Sequence, residues 1–116
     1  VVALDGKILG KPMDKADAFA TLKMLSGKEH SVFTGVSVIK GEKIETFSVQ
    51  TKVKMFELTD EEINEYIATG EPFDKAGSYG IQGKGSLLVE KIDGDYFNVV
   101  GLPISRLNRV LKLFNL

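Results

Sequence analysis

His30-Ser-Val-Phe-Thr-Gly-Val-Ser-Val-Ile39 and Ile44-Glu-Thr-Phe-Ser-Val-Gln-Thr-Lys-Val-Lys-Met-Phe56 decide how this chain folds. Both runs are rich in β-branched and aromatic residues, and Gly41 between them supplies a turn. In the second run, Val49, Thr51, Val53 and Met55 alternate with Ser48, Gln50, Lys52 and Lys54. A period of two puts one set on a buried face and the other in water, so the pair predicts a long antiparallel hairpin.

Upstream, Val1 to Leu4 and Lys7 to Gly10 read as short extended pieces around Asp5-Gly6, a dipeptide favoured in tight hairpin turns. Pro12 keeps Lys11 out of helical geometry. Asp14 then caps a helix through about Leu25, with Asp17 near the positive end of its dipole and Ser26-Gly27 at its exit. Downstream, Thr59-Asp-Glu-Glu62 is a capping box opening a helix to about Ala68, with a stop at Gly70. Ser86 to Ile92 predicts a strand, Asp93-Gly94 a turn, and Tyr96 to Val100 a returning strand. Gly101-Leu-Pro-Ile104 starts a final helix carrying Leu107, Val110, Leu111 and Phe114 on one side. There is no internal repeat or linker. The expected architecture is a single α/β domain over residues 1–116, with a mixed, largely antiparallel sheet and flanking helices.

Composition narrows the chemistry. With no cysteine, disulfides, thiol catalysis and cysteine-ligated zinc are excluded, and a cytoplasmic location is compatible. The one histidine, His30, reads as a strand-edge or hydrogen-bonded ring and not as a metal ligand. A formal net charge of −1 gives no general attraction to nucleic-acid polymers or anionic membranes. No apolar stretch approaches the ~18–20 residues of a membrane span. The chain starts at Val1 in an apolar run, which reads as a piece beginning in mid-domain.

Glu71-Pro-Phe-Asp-Lys-Ala-Gly-Ser-Tyr-Gly-Ile-Gln-Gly-Lys-Gly85 is the segment richest in functional signal. Its four glycines let backbone lie close to a ligand, while Asp74, Lys75 and Gln82 supply polar groups; a long plain connection fits the same composition. Asp74 and Lys75 form an ion pair closing the loop, or Lys75 meets an anion. Gln82 offers two donors and an acceptor, the equipment for reading a nucleobase edge. Tyr79 plugs the core or stacks on a base. Lys11, held at a Gly-Lys-Pro turn, is either a solvated lysine or a point charge for phosphate oxygens. Asp60, Glu61, Glu62 and Glu65 crowd a helix start, where the dipole already accounts for them.

Gly10-Lys-Pro12, Asp74-Lys-Ala-Gly-Ser-Tyr-Gly-Ile-Gln-Gly83, Ser26-Gly-Lys-Glu-His30 with Thr34-Gly35, and Asp95-Tyr-Phe-Asn-Val-Val-Gly-Leu-Pro103 occur here in one order. In these motifs the chain resembles the Maf family of nucleoside triphosphate pyrophosphatases, and in Tyr79-Gly-Ile-Gln-Gly83 its dTTP/UTP branch. The resemblance implies an incomplete Maf/ITPase-like fold. It implies hydrolysis between the α and β phosphates to a monophosphate and pyrophosphate, helped by a divalent cation (Mg or Mn), and a link to septum formation and division arrest. By motif, Lys11 would contact phosphates, Gln82 would help set base specificity, and Asp74 and Lys75 would support the loop.

Two family motifs, Ser-x-Ser-Pro-Arg-Arg and the Ala-Asp-Thr that carries the proposed catalytic aspartate, do not occur in this chain. The second would fall immediately before Val1. The resemblance therefore implies a carboxy-terminal portion that is nearly inactive alone and supplies no catalytic residue or identified metal ligand. It would be completed elsewhere or held by self-association as a homodimer. The alternative is a non-catalytic module binding a nucleotide or a division protein.

Overall fold

The computed structural model describes residues 1–116. Strands β1 (Val2–Leu4) and β2 (Lys7–Leu9) form the first hairpin. Its turn residues Asp5 and Gly6 have φ of 49° and 80°, the pair of positive values that suits the twist of the flanking strands. Helix α1 (Lys15–Leu25) follows, and the Asp14 carboxylate accepts the Asp17 amide at 2.8 Å. Strands β3 (Glu29–Lys40) and β4 (Lys43–Met55) pair from Glu29↔Lys54 to Lys40↔Lys43. Helix α2 (Asp60–Ala68) opens with the expected capping box: Thr59 accepts from the Glu62 amide at 3.1 Å, and Glu62 accepts from the Thr59 amide at 3.1 Å.

Strand β5 (Val89–Asp93) completes a five-stranded sheet in the order β2-β1-β3-β4-β5, antiparallel at every pairing. Thr51, Val53 and Met55 are buried while Ser48, Gln50 and Lys52 face water, so the alternation in β4 marks the core face. Helices α1 and α2 pack together against that face, closing Leu22, Leu25, Val53, Met55 and Ile63 from solvent. Toward its tip the β3–β4 hairpin leaves the core, and Ile39 and Ile44 lie exposed. There Lys40 and Lys43 donate to the carbonyls of Phe114 and Leu113, at the end of helix α4 (Ile104–Leu113).

Two expectations are corrected. Tyr96–Val100 is a short helix, α3, instead of a returning strand. The Asp95 carboxylate caps it by accepting the Phe97 amide at 2.9 Å, and β5 offers it no strand pairing. The side chain of Asn98, completely buried, pins α3 to the sheet: its amide nitrogen donates to the carbonyls of Val32 (3.0 Å) and Val49 (3.2 Å) and to Thr51 Oγ1 (3.0 Å). Tertiary hydrogen bonds here outweigh the β propensity of Tyr, Phe and Val. Ser86–Leu88 is the second correction. These residues belong to a 3₁₀ segment, Gly83–Leu88, and the strand starts only at Val89.

Candidate functional site

The glycine-rich run is not an open loop. It folds into three 3₁₀ segments, Glu71–Asp74, Ala76–Ser78 and Gly83–Leu88, with left-handed backbone at Gly70 before the first, Gly77 within the second and Gly83 at the start of the third. The Gly77 amide donates to the Gly10 carbonyl at 3.2 Å, which ties the Gly10-Lys-Pro12 turn to this run.

A cavity of about 410 Å³ opens where β1, β3, the run Lys75–Gln82 and the end of α3 converge. Val2, Val32, Ala76, Tyr79, Ile81 and Val99 form its apolar lining. Thr34, Lys75, Gln82 and Asn98 bring polar groups to it. Apolar walls with a few convergent polar groups are the usual character of a small-molecule site.

The cavity brings Gln82 together with Lys75; Lys11 is not among the residues that line it. Lys75 donates to Asp74 Oδ1 at 2.8 Å, the ion pair considered from sequence. That hydrogen bond and the Lys75 charge hold the Asp74 carboxyl below the usual carboxylate range, and the Lys11 charge acts in the same direction. Lys11 thus stands near enough to act on Asp74, while it is exposed and outside the cavity lining.

Tyr79 is buried against the core, and its hydroxyl lies 2.6 Å from His30 Nε2. Plugging, and not free stacking, is its place in the fold. His30 is 2% exposed, and burial lowers its pKa from 6.5 to about 4, so the ring is neutral. Burial likewise pushes the Tyr66 and Tyr79 hydroxyls well above the ordinary phenol value.

Sequence reasoning missed Glu71. Its Oε1 accepts from the Tyr66 hydroxyl at 3.0 Å and the Gly85 amide at 3.0 Å, and its Oε2 accepts from the Lys84 amide at 3.2 Å. The Tyr66 oxygen in turn accepts the Gly80 amide at 3.1 Å. Burial pushes the Glu71 carboxyl up, but the Gly85, Tyr66 and Lys84 hydrogen bonds and the Lys75 charge outweigh it, leaving Glu71 below its ordinary value. A carboxylate opening a run whose many amides lack regular partners was the available signal. Asn98 was also missed. Its Oδ1 is buried with no protein partner, while a lone Asn among Tyr, Phe and Val hinted at a specific polar contact.

No group of three or more His, Asp or Glu side chains is placed to hold a metal ion. Near the cavity, Asp74 is committed to Lys75 and Glu71 to the loop amides. These residues do not fit a divalent-cation site by themselves.

Residues 1–114 match the family model for Maf-like proteins. The chain is 60% identical over 116 residues to a dTTP/UTP pyrophosphatase of Bacillus pumilus (strain SAFR-032), covering 100% of this chain and 61% of that protein. It is 60% identical to one of Dictyoglomus turgidum (strain DSM 6724 / Z-1310), over 98% of this chain and 60% of the relative. A Bacillus anthracis protein of the same name is 58% identical, with 100% and 61% covered. The chain therefore spans about 60% of the length of these curated relatives.

Proposed function

Because the chain belongs to the Maf-like family, we propose that it is the base- and phosphate-reading part of a nucleoside triphosphate pyrophosphatase acting on dTTP and UTP. The reaction is hydrolysis of the bond between the α and β phosphates, giving the monophosphate and pyrophosphate. One observation carries this reading: a neutral amide, Gln82, and an ammonium, Lys75, line one cavity with apolar walls.

The chemistry follows from those groups. Uracil and thymine present a carbonyl oxygen beside an N–H, which the two ends of the Gln82 amide match. Cytosine reverses both groups at that edge. Lys75 supplies positive charge for the phosphates, and Lys11, outside the lining but close enough to act on Asp74, adds to the field they enter. Asp74 restrains Lys75.

No carboxylate or histidine lines the cavity, which supports the proposal that this chain alone binds substrate with little or no turnover. A divalent cation is implied by the family resemblance, and the recognition chemistry assigned here to Gln82 and the lysines does not depend on it. A link to septum formation rests on the same resemblance, and a cytoplasmic setting on the absence of cysteine; no helix is long and apolar enough to cross a membrane. A homodimer is supported by the exposed side chains of Tyr96, Phe97, Val100, Leu102 and Ile104.

Calorimetric titration with a non-hydrolysable dTTP analogue, beside pyrophosphate release from dTTP, UTP and 7-methyl-GTP, tests the reading. Binding of the analogue, with any turnover confined to the pyrimidine nucleotides, is expected. Binding with little or no turnover agrees with the part of the enzyme described here, and brisk turnover by this chain alone contradicts its dependence on residues outside it. Absence of binding contradicts the reading.

A further inference from the structure

We propose that Glu71 is a positioning residue for pyrimidine recognition, acting as a clasp that fixes the backbone on both sides of Gln82; the proposal rests on the cavity being the nucleotide site. Gln82 itself is exposed and lies in extended backbone with φ −85° and ψ 159°. No protein hydrogen bond holds its side chain. Its aim therefore depends on where the loop places its Cα, and the loop is anchored at two points. Before Gln82, the Gly80 amide is held by the Tyr66 hydroxyl at 3.1 Å. After it, the Lys84 and Gly85 amides are held by Glu71 at 3.2 and 3.0 Å. The Tyr66 hydroxyl donates to Glu71 at 3.0 Å, so both anchors meet in one carboxylate.

The glycines permit this closure. A Cβ on Gly83 would sit 2.9 Å from Glu71 Oε2, and one on Gly85 would sit 2.0 Å from the Gly80 carbonyl oxygen. The two limbs of the loop touch beside Glu71, which holds the Lys84 and Gly85 amides directly and the Gly80 amide through Tyr66; between the limbs Ile81 is buried and Gln82 is exposed. A carboxylate suits that place because both its oxygens only accept, and three donors converge on them. A neutral amide would turn one NH₂ toward a donor, and a methyl would leave all three unpartnered. Glu71 is not among the residues lining the cavity, so it acts through Gln82 and not on the nucleotide.

The experiment compares wild type, Glu71→Ala, Tyr66→Phe and, as a control, Thr59→Ala, at a temperature where each is folded by circular dichroism. The Thr59 cap lies at the far end of α2, so its loss lowers stability without reaching the loop. Titrations with UTP and CTP give affinity and selectivity. Amide hydrogen exchange at Gly80, Lys84 and Gly85 reports the clasp without any ligand.

On this account Glu71→Ala accelerates exchange at those three amides. It also weakens UTP binding on the order of tenfold and erodes the preference over CTP. Tyr66→Phe does the same to a smaller degree, and Thr59→Ala lowers the Tm with affinity unchanged. Wild-type binding with equal UTP affinity and selectivity in Glu71→Ala overturns the positioning role while leaving the nucleotide site standing. If wild type binds neither nucleotide, the site reading and the positioning role fall together. Unaltered exchange in Glu71→Ala overturns the clasp whatever the titrations show.

Discussion

Lowering the pH from 7 to 5 should destabilise this protein through one ring. His30 is the only histidine, and its neighbourhood is buried on every side. Its Nε2 faces the Tyr79 hydroxyl at 2.6 Å, and its Nδ1 has no protein partner. Burial lowers the folded-state pKa to about 4, against 6.5 in an unfolded chain. The unfolded state therefore takes up the proton first. Stability is full above the unfolded value, falls as pH drops from about 6.5 toward 4, and falls no further from this group below that. The whole gap is worth at most about 3 kcal/mol, of which about 2 kcal/mol is lost by pH 5. Urea unfolding at pH 7 and pH 5, for wild type and His30→Gln, measures it. Glutamine can still bond Tyr79 but does not titrate, so the variant should be less stable at pH 7 and nearly flat across the window. A wild type that is flat, or a variant that loses as much as wild type, refutes the reasoning.

Other outcomes follow from the same contacts. Gly85→Ala drives a Cβ into the Gly80 carbonyl, a backbone atom that cannot swing aside, and thermal melts should show a loss toward the upper end of about 1–3 kcal/mol. Asn98→Ala strips hydrogen bonds from the Val32 and Val49 carbonyls and Thr51, and should cost about 2 kcal/mol in urea with faster exchange in α3. Removing the α2 cap with Thr59→Ala should cost about 1 kcal/mol by the same measure. Asp74→Asn removes the charge that restrains Lys75, and titration with triphosphate should show altered affinity while the Tm hardly moves, since the pair is exposed.

Legibility from sequence tracked how local the determining physics is. The β1–β2 turn, the Asp14 and Thr59 caps and the β4 alternation rest on residues a few positions apart, and the structure contains all of them. Tyr96–Val100 departs from the strand expected of its residues because those that decide it, Val32, Val49 and Thr51, lie far away on the sheet and bond to Asn98. Strand β5 starts later than its residues suggest for a related reason: Glu71 holds the Lys84 and Gly85 amides, and the Ser86 hydroxyl donates to the Gly83 carbonyl at 2.7 Å. At the site, the Asp74–Lys75 pair was visible as neighbours in sequence. Which cation shares the cavity with Gln82 was not: Lys75 lines it and Lys11 does not, a matter of how the 3₁₀ turns stack and not of motif.

Amide chemical-shift mapping with UTP tests most directly whether this cavity is where a pyrimidine nucleotide sits. The account predicts shifts concentrated at Thr34, Lys75, Gly80–Gln82 and Asn98–Gly101, saturating together at one dissociation constant. Shifts confined to the separate groove around Glu65, Thr69 and Leu87, with the cavity residues silent, would contradict it.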